Sequence, residues 1–348
     1  MSDLPCDESP TSLASVQERT AQRCVPFSAA WELTYRCNLA CRHCYVLQPP
    51  TADGELTTAE CMDALEQLAE AGFFFLILTG GEVLTRPDFF ELAAEARRLT
   101  FALRIMTNGT LVDASVADGL AGLSPCSVDI SLYGRPAAHD AITRVPGSQE
   151  RALGAIRLLR ERGLFVRVKS PMMRSNIGEY EHLRETAREF GCGFVFDSTV
   201  CPADDGGQGP LAERLDLQGV MELYRRAGGG KPMPKGGNHV HGEPICNAGR
   251  NTARIKPDGQ VTPCIAIRES IGSLRRRRLV EIWSSIGFKK YRTMTPEKLP
   301  ECVECRIRDF CVRCPGVAEC ETGDLYGRSP GSCTVAEARS LMFEGALR

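Results

Sequence analysis

No stretch of this 348-residue sequence is apolar for long enough to cross a bilayer, which takes about 20 consecutive apolar residues. FFFLIL at 73–78 has only the length of a strand. A basic excess is missing too. The 42 Lys and Arg residues face 44 Asp and Glu, a formal net charge of -2, so no global positive field invites nucleic acid. The opening MSDLPCDESPTSLASVQERT lacks the basic segment and apolar core of a secretory signal. No solenoid-type repeat recurs along the chain. These absences describe a soluble, cytoplasmic protein with neither a nucleic-acid nor a membrane partner. Its 43% hydrophobic content is enough for one large core or two smaller ones.

Cysteine is what the sequence has in excess: seventeen residues, an odd number. In a reducing compartment disulfides are the weaker account of such a count, and metal or redox chemistry the stronger. Three thiols crowd into CNLACRHCY, where Cys37, Cys41 and Cys44 follow a C-x3-C-x2-C spacing. Three thiols cannot all pair with one another. A closed structural metal site normally takes four ligands, so the box is one ligand short or belongs to a larger zinc site.

Residues 1–26 are polar and read as a loose tail. From 27 to 227 strand-like runs alternate with amphipathic helix-like runs. The expected strands are 30–34, 73–79, 102–107, 127–132, 165–169 and 193–197. Helix patterns cover 58–71, 88–99 and 148–162. Thr57 and Glu60 make a capping box ahead of the first helix, and Gly72 stands where a C-cap glycine belongs. Alternation of this kind implies parallel βαβ units. Six of them give an α/β fold, an open or partial (β/α)6 TIM-like barrel with its chemistry at the C-terminal strand ends. The glycine- and proline-rich GGGKPMPKGGNHV marks a linker at 228–240. Residues 241–348 read as a small cysteine-rich domain, short of core and held by metal. LRRRRL at 274–279 reads as a solvated charged face.

The box, following directly after the first strand, resembles the signature of radical SAM enzymes. The resemblance implies a [4Fe–4S] cluster on Cys37, Cys41 and Cys44 whose open iron chelates S-adenosylmethionine. Further matches carry it. Gly80, Gly81 and Glu82 in LTGGE end the second strand. The glycines would let the backbone approach the ligand, and Glu82 would accept from the methionine ammonium. Ser131 in SLYG would give a polar contact to the cofactor. Arg144 in ITRVPGS would pair with its carboxylate, a task suited to a guanidinium fork. His43 would sit beside the adenine, and Asn108 in TNGT would face the barrel mouth.

The downstream cysteines are similar to the SPASM extension of such enzymes, which carries two auxiliary iron–sulfur clusters; two zinc sites are the other reading of so dense a ligand set. By position, Cys302, Cys305, Cys311 and Cys333 would hold one cluster and Cys246, Cys264 and Cys314 the other. Two residues separate Cys311 from Cys314 where the family has three. The second set is one ligand short, so either an iron stays open or Cys320 completes it. The remaining Cys6, Cys24, Cys61, Cys126 and Cys192 read as ordinary core or surface residues. Cys201, just past the sixth strand, is a candidate hydrogen-atom donor.

The resemblance implies an enzyme that cleaves S-adenosylmethionine reductively and modifies a ribosomally made precursor peptide, by a thioether or other cross-link or a related C–H oxidation. Its partners would be that peptide, an external electron donor such as flavodoxin or ferredoxin, and a separate leader-binding protein, since 26 residues leave no room for a leader-binding domain. The alternatives are an enzyme acting on a small molecule, such as a tetrapyrrole side-chain decarboxylase, a peptide epimerase, or a non-catalytic iron–sulfur or zinc scaffold.

Overall fold

The computed structural model describes residues 12–46, 52–228 and 237–345. Six parallel strands run in sequence order: β1 (Ser28–Thr34), β2 (Phe75–Gly80), β3 (Ala102–Thr107), β4 (Ser127–Ser131), β5 (Val166–Pro171) and β6 (Gly193–Asp197). Neighbouring strands are joined by α2 (Thr58–Glu70), α3 (Phe89–Arg98), α4 (Ala114–Leu123), α5 (Pro136–Thr143) with α6 (Ser148–Glu161), and α7 (Tyr180–Glu189). An N-terminal helix, α1 (Leu13–Gln22), precedes them, and α8 (Leu217–Gly228) closes the series. The result is the partial barrel that the alternation implies.

Local chemistry fixes these elements. The Thr57 amide donates to Glu60 Oε2 at 2.8 Å, and the Glu60 amide donates to Thr57 Oγ1 at 3.3 Å. This reciprocal box satisfies two amides that the first turn of a helix leaves bare. Gly72, with φ +90°, stops α2 in a left-handed conformation that suits glycine. In β5 the side chains of Val166, Val168 and Ser170 are buried against the helices, while Arg167, Lys169 and Pro171 on the other face look into the barrel. Trp31, Leu33, Leu76 and Leu78 pack with Leu65 and Leu68 of α2 in the main core.

The sheet does not stop at the expected domain boundary. β7 (Thr252–Ile255) pairs in parallel with β1, then β8 (Gln260–Thr262) and β9 (Gly272–Ser273) follow antiparallel. The order is β6-β5-β4-β3-β2-β1-β7-β8-β9, and its two ends do not meet. Beyond it lie α9 (Leu279–Trp283), α10 (Ile286–Arg292), α11 (Pro315–Thr322) and α12 (Pro330–Gly345). The small apolar cluster there, built around Ile245, Ile267, Tyr291 and Leu299, includes Cys302.

Three expectations change. The described part of the tail is not loose: α1 is capped by Ser12 and docked by Arg250 Nε on Ala21 O (3.0 Å) and Asn251 Nδ2 on Gln17 O (2.8 Å). Cys6 and the rest of 1–11 lie outside the described residues, as do 229–236 of the linker. The linker's last residues are bound, with the Gly237 amide on Asp309 O (2.8 Å) and the Asn238 amide on Cys311 O (3.0 Å). Nor is the arginine run only solvated. Arg275 reaches Glu60 at 2.6 Å, and Arg278 reaches Asp63 at 3.0 Å and Glu70 at 2.5 Å, strapping the C-terminal region onto α2. Among the described residues no helix is long and apolar enough to cross a membrane.

Candidate active site

The cysteine box leaves β1 and is held by three other strand ends. The Gly81 amide donates to Thr34 O at 2.8 Å and the Glu82 amide to Arg36 O at 2.9 Å. Asn108, just past β3, donates from Nδ2 to Asn38 Oδ1 at 2.8 Å and contacts Cys37 Sγ at 3.8 Å. From beyond β4, the end of α5 accepts the Ala40 amide on Thr143 O (3.1 Å) and the Arg42 amide on Ile142 O (3.0 Å).

This packing explains the two glycines differently from the sequence reading. A Cβ on Gly80, where φ is +137°, would lie 2.2 Å from Thr34 O, and one on Gly81 would lie 2.3 Å from Arg36 O. Those are impossible contacts with backbone. The glycines are there so that the start of the cysteine loop can lie against the end of β2.

Cys37, Cys41 and Cys44 face a cavity of about 520 Å³ at the C-terminal strand ends. Burial pushes the Cys41 thiol up to about 12, with Cys44 and Cys37 as the next contributors, and raises Cys37 as well. Crowded thiols that disfavour one another's ionisation are stabilised as thiolates by a bound cation. His43, Gly80, Gly81, Asn108 and Ser131 line the same cavity. His43 packs edge-on to Tyr133 at 5.0 Å, and burial lowers it to about 4, so the ring is neutral. Its Nδ1 is buried without a partner among the described residues, a polar atom whose hydrogen bond is left unmade. On the donor chemistry and this orphan atom, the residues fit an iron–sulfur cluster with S-adenosylmethionine.

Two residues expected at the cofactor, Glu82 and Arg144, do not line the cavity. Glu82 is fully buried behind the cavity and does not line it. It accepts from Thr107 Oγ1 and the Asn108 amide, both at 2.7 Å, and from the Leu84 amide at 3.1 Å. The carboxylate ties β2 to the Thr107–Asn108 strand end. Arg144 is exposed at the C-cap of α5 with φ +60°, outside the lining. The cations that do line the cavity are Lys169 of β5 and Arg268. Neither stands in a motif that the sequence reading singled out.

The C-terminal thiols gather in two groups. Burial pushes Cys311 up to about 12, followed by the influence of Cys333, Cys302 and Cys305. Burial does the same to Cys264, with Cys314 and Cys246 next. Among the described residues no three His, Cys, Asp or Glu side chains are arranged to hold a single metal ion. Cys201, Cys314 and Cys320 line the main cavity together with the first box. Burial takes Cys201 up to about 12, ahead of Cys320 and Cys314, so it is a neutral thiol.

A buried junction, invisible to motif reading, joins these parts. The guanidinium of Arg254 lies 2.6 Å from Glu32, both side chains at 0% exposure. Tyr35 and Tyr45 donate to the same carboxylate at 2.9 and 3.2 Å. Arg254 also reaches Ile265 O at 3.1 Å and Asp204 at 3.4 Å, and Arg268 meets Asp204 at 3.6 Å. Tyr45 follows Cys44, Asp204 follows Cys201 by three residues, and Ile265 follows Cys264. One ion pair thus ties down the segments next to Cys44 and Cys201, which line the cavity, and next to Cys264. The signal in the sequence was a lone glutamate in the middle of an apolar strand, AWELT.

The Radical SAM superfamily model matches residues 31–189, and the SPASM iron–sulfur cluster-binding domain matches 246–306. The chain is 27% identical to the AdoMet-dependent heme synthase of Methanosarcina barkeri, over 88% of this chain and 95% of that one. It is 39% identical to the pre-heme d1 synthase of Dinoroseobacter shibae, over 56% of this chain and 48% of the other. It is 28% identical to the mycofactocin maturase MftC of Mycobacterium tuberculosis, over 82% and 77%. In fold it matches Streptococcus suis SuiB bound to S-adenosylmethionine, with a TM-score of 0.70 at 16% identity, over 95% of this chain and 83% of that one.

Proposed function

We propose that this chain, which matches the radical SAM superfamily model over residues 31–189 and the SPASM iron–sulfur domain over 246–306, is a radical SAM enzyme that modifies a ribosomally synthesised peptide. The observation that carries the reading is a single cavity faced by the Cys37, Cys41 and Cys44 box on one side and by Cys201, Cys314 and Cys320 on the other. A substrate bound there meets both sets of thiols. Cys37, Cys41 and Cys44 would hold a [4Fe–4S] cluster, which would supply the reducing power for cleavage of S-adenosylmethionine. The neutral His43 ring lines the cavity and would lie beside the adenine. Ser131 offers a hydroxyl, and the chain between Cys37 and Cys44 is held by Asn108 and by the carbonyls of Ile142 and Thr143. The reductant comes from outside, from a one-electron donor such as flavodoxin or ferredoxin.

Two auxiliary [4Fe–4S] clusters belong to the proposal. Cys302, Cys305, Cys311 and Cys333 would hold the distal one. Cys246, Cys264 and Cys314 would hold the one nearer the cavity, with Cys320 or an open iron at its fourth position. Cys201 is placed to give a hydrogen atom to a substrate radical, because its buried, neutral thiol lines the cavity. The peptide reading draws on the similarity to MftC over 82% of this chain. SuiB, whose fold this chain shares, has been seen with its precursor peptide SuiA.

A second reading, modification of a tetrapyrrole side chain, draws on the match to 95% of the length of the heme synthase. One experiment separates the two. The anaerobically reconstituted enzyme is given dithionite, S-adenosylmethionine and either a peptide encoded beside its gene or an iron tetrapyrrole carrying propionates. Mass spectrometry should find a changed peptide and an unchanged tetrapyrrole. The opposite pattern replaces the first reading by the second, and no 5'-deoxyadenosine with either removes both.

A further inference from the structure

Arg313 lies in CVRC, between Cys311 of one thiol group and Cys314 of the other. Its side chain is buried at 2% exposure. Nε donates to Gly327 O at 3.1 Å, and Nη2 donates to Leu325 O at 2.7 Å and Gly327 O at 2.5 Å. Nη1 is buried with no partner. Burial opposes the guanidinium's charge, and the thiols of Cys302, Cys314 and Cys311 offset that penalty ahead of Asp324. A buried donor without a partner is rare in a native interior, and a buried arginine normally has a carboxylate beside it. Here backbone carbonyl oxygens, rather than a carboxylate, fix its orientation.

We propose that Arg313 is a positioning residue that acts by charge on both C-terminal cysteine sets, holding iron–sulfur clusters bound there at a raised reduction potential. This rests on the reading of those sets as cluster ligands. Going from the 2+ to the 1+ state, a [4Fe–4S] cluster gains one electron and one unit of negative charge. A permanent cation at short range in a low-dielectric site favours the more negative state. An arginine keeps its charge across the working pH range, and Nη1 of Arg313 is a buried donor with no partner among the described residues. A cluster held there would take its electron from the substrate-centred radical, which would be oxidised by one, so no further oxidant is required. Arg328, exposed and five residues before Cys333, would add a weaker copy of the effect at the distal set.

The test is an EPR-monitored redox titration of the full, reconstituted chain. In Arg313→Gln the midpoints of the C-terminal signals should move to lower potential. The signal that responds to S-adenosylmethionine should stay where it is. Arg313→Lys, which keeps the charge, should move them less. Because a buried arginine can be needed for folding, Arg328→Gln provides an exposed second variant, which should lower the distal midpoint alone. A folded Arg313→Gln protein with wild-type iron and unmoved midpoints overturns the proposal; if that variant does not fold, an unmoved distal midpoint in Arg328→Gln does so. Iron content distinguishes this failure from that of the underlying reading. Unmoved potentials at about 12 iron per chain remove only the role of Arg313, whereas a wild type holding about 4 removes the C-terminal clusters themselves.

Discussion

At the scale of single residues, the site depends as much on what is absent as on what is present. Gly81 has no side chain because Arg36 O would lie 2.3 Å from its Cβ. Gly81→Ala should therefore displace the cysteine loop and lower the iron content by about 4 per chain, as would changing Cys37, Cys41 and Cys44 together to Ala. Full iron in Gly81→Ala would mean that the loop can yield. Arg144, exposed and outside the cavity, gives the contrary expectation. Arg144→Ala should leave the affinity for S-adenosylmethionine within about twofold of wild type, because surface substitutions usually change energies by less than about 0.5 kcal/mol. A tenfold loss by equilibrium dialysis would return the arginine to the cofactor. Cys201 makes a third case. If its neutral thiol supplies the hydrogen atom, Cys201→Ala should lose product that carries solvent-derived deuterium while still releasing 5'-deoxyadenosine. Deuterated product from the variant would assign the donor elsewhere.

At the scale of elements, the strand ends converge and the cysteine-rich segment closes over them. β1 carries the box, β2 the glycine turn, β3 Asn108, β4 Ser131 and β5 Lys169, all at their C-terminal ends. The contacts that line the first thiol box come from this half of the chain. Cys311 sits instead in the segment that binds Asn238 through its carbonyl, outside the lining of the main cavity. Cys311→Ala should still cleave S-adenosylmethionine with dithionite but make little modified product. Since metal affinity is also folding energy in a region with so little core, circular dichroism and a retained EPR signal from the first site must accompany the assay. Wild-type yield from a folded variant would make the distal set structural. The arginine strap onto α2 is a lesser matter: Arg275 and Glu60 are each more than a third exposed, and such pairs contribute about 1 kcal/mol or less.

At the scale of the whole molecule, the Glu32–Arg254 pair joins the two halves of one sheet. Arg254→Met would leave Glu32 buried and unpaired, which costs about 3–5 kcal/mol. Adding Glu32→Gln should recover a large part of it, because the uncompensated charge is then gone. Urea unfolding of the single and double variants checks this; equal stability of all three proteins would show that the junction carries no net energy. The element order was legible in the residues alone, because strand runs, a capping box and a stop glycine are local signals. The expected strands at 102–107 and 193–197 coincide with β3 and β6, and the 58–71 helix pattern ends one residue beyond α2. The cysteine box was legible for the same reason: its spacing is short enough to carry chemistry without knowledge of the rest. What the sequence could not determine was direction and distance. Whether Glu82 points into the cavity or behind it depends on where Thr107 and Asn108 lie, and Arg144 faces solvent because α5 ends in a left-handed cap. That Cys314 and Cys320 share a cavity with Cys37 was decided only when β7 docked beside β1. Such contacts span more than two hundred residues, and no local propensity encodes them; they arise from burying both faces of one sheet and from the need to pair a charge that has no access to water.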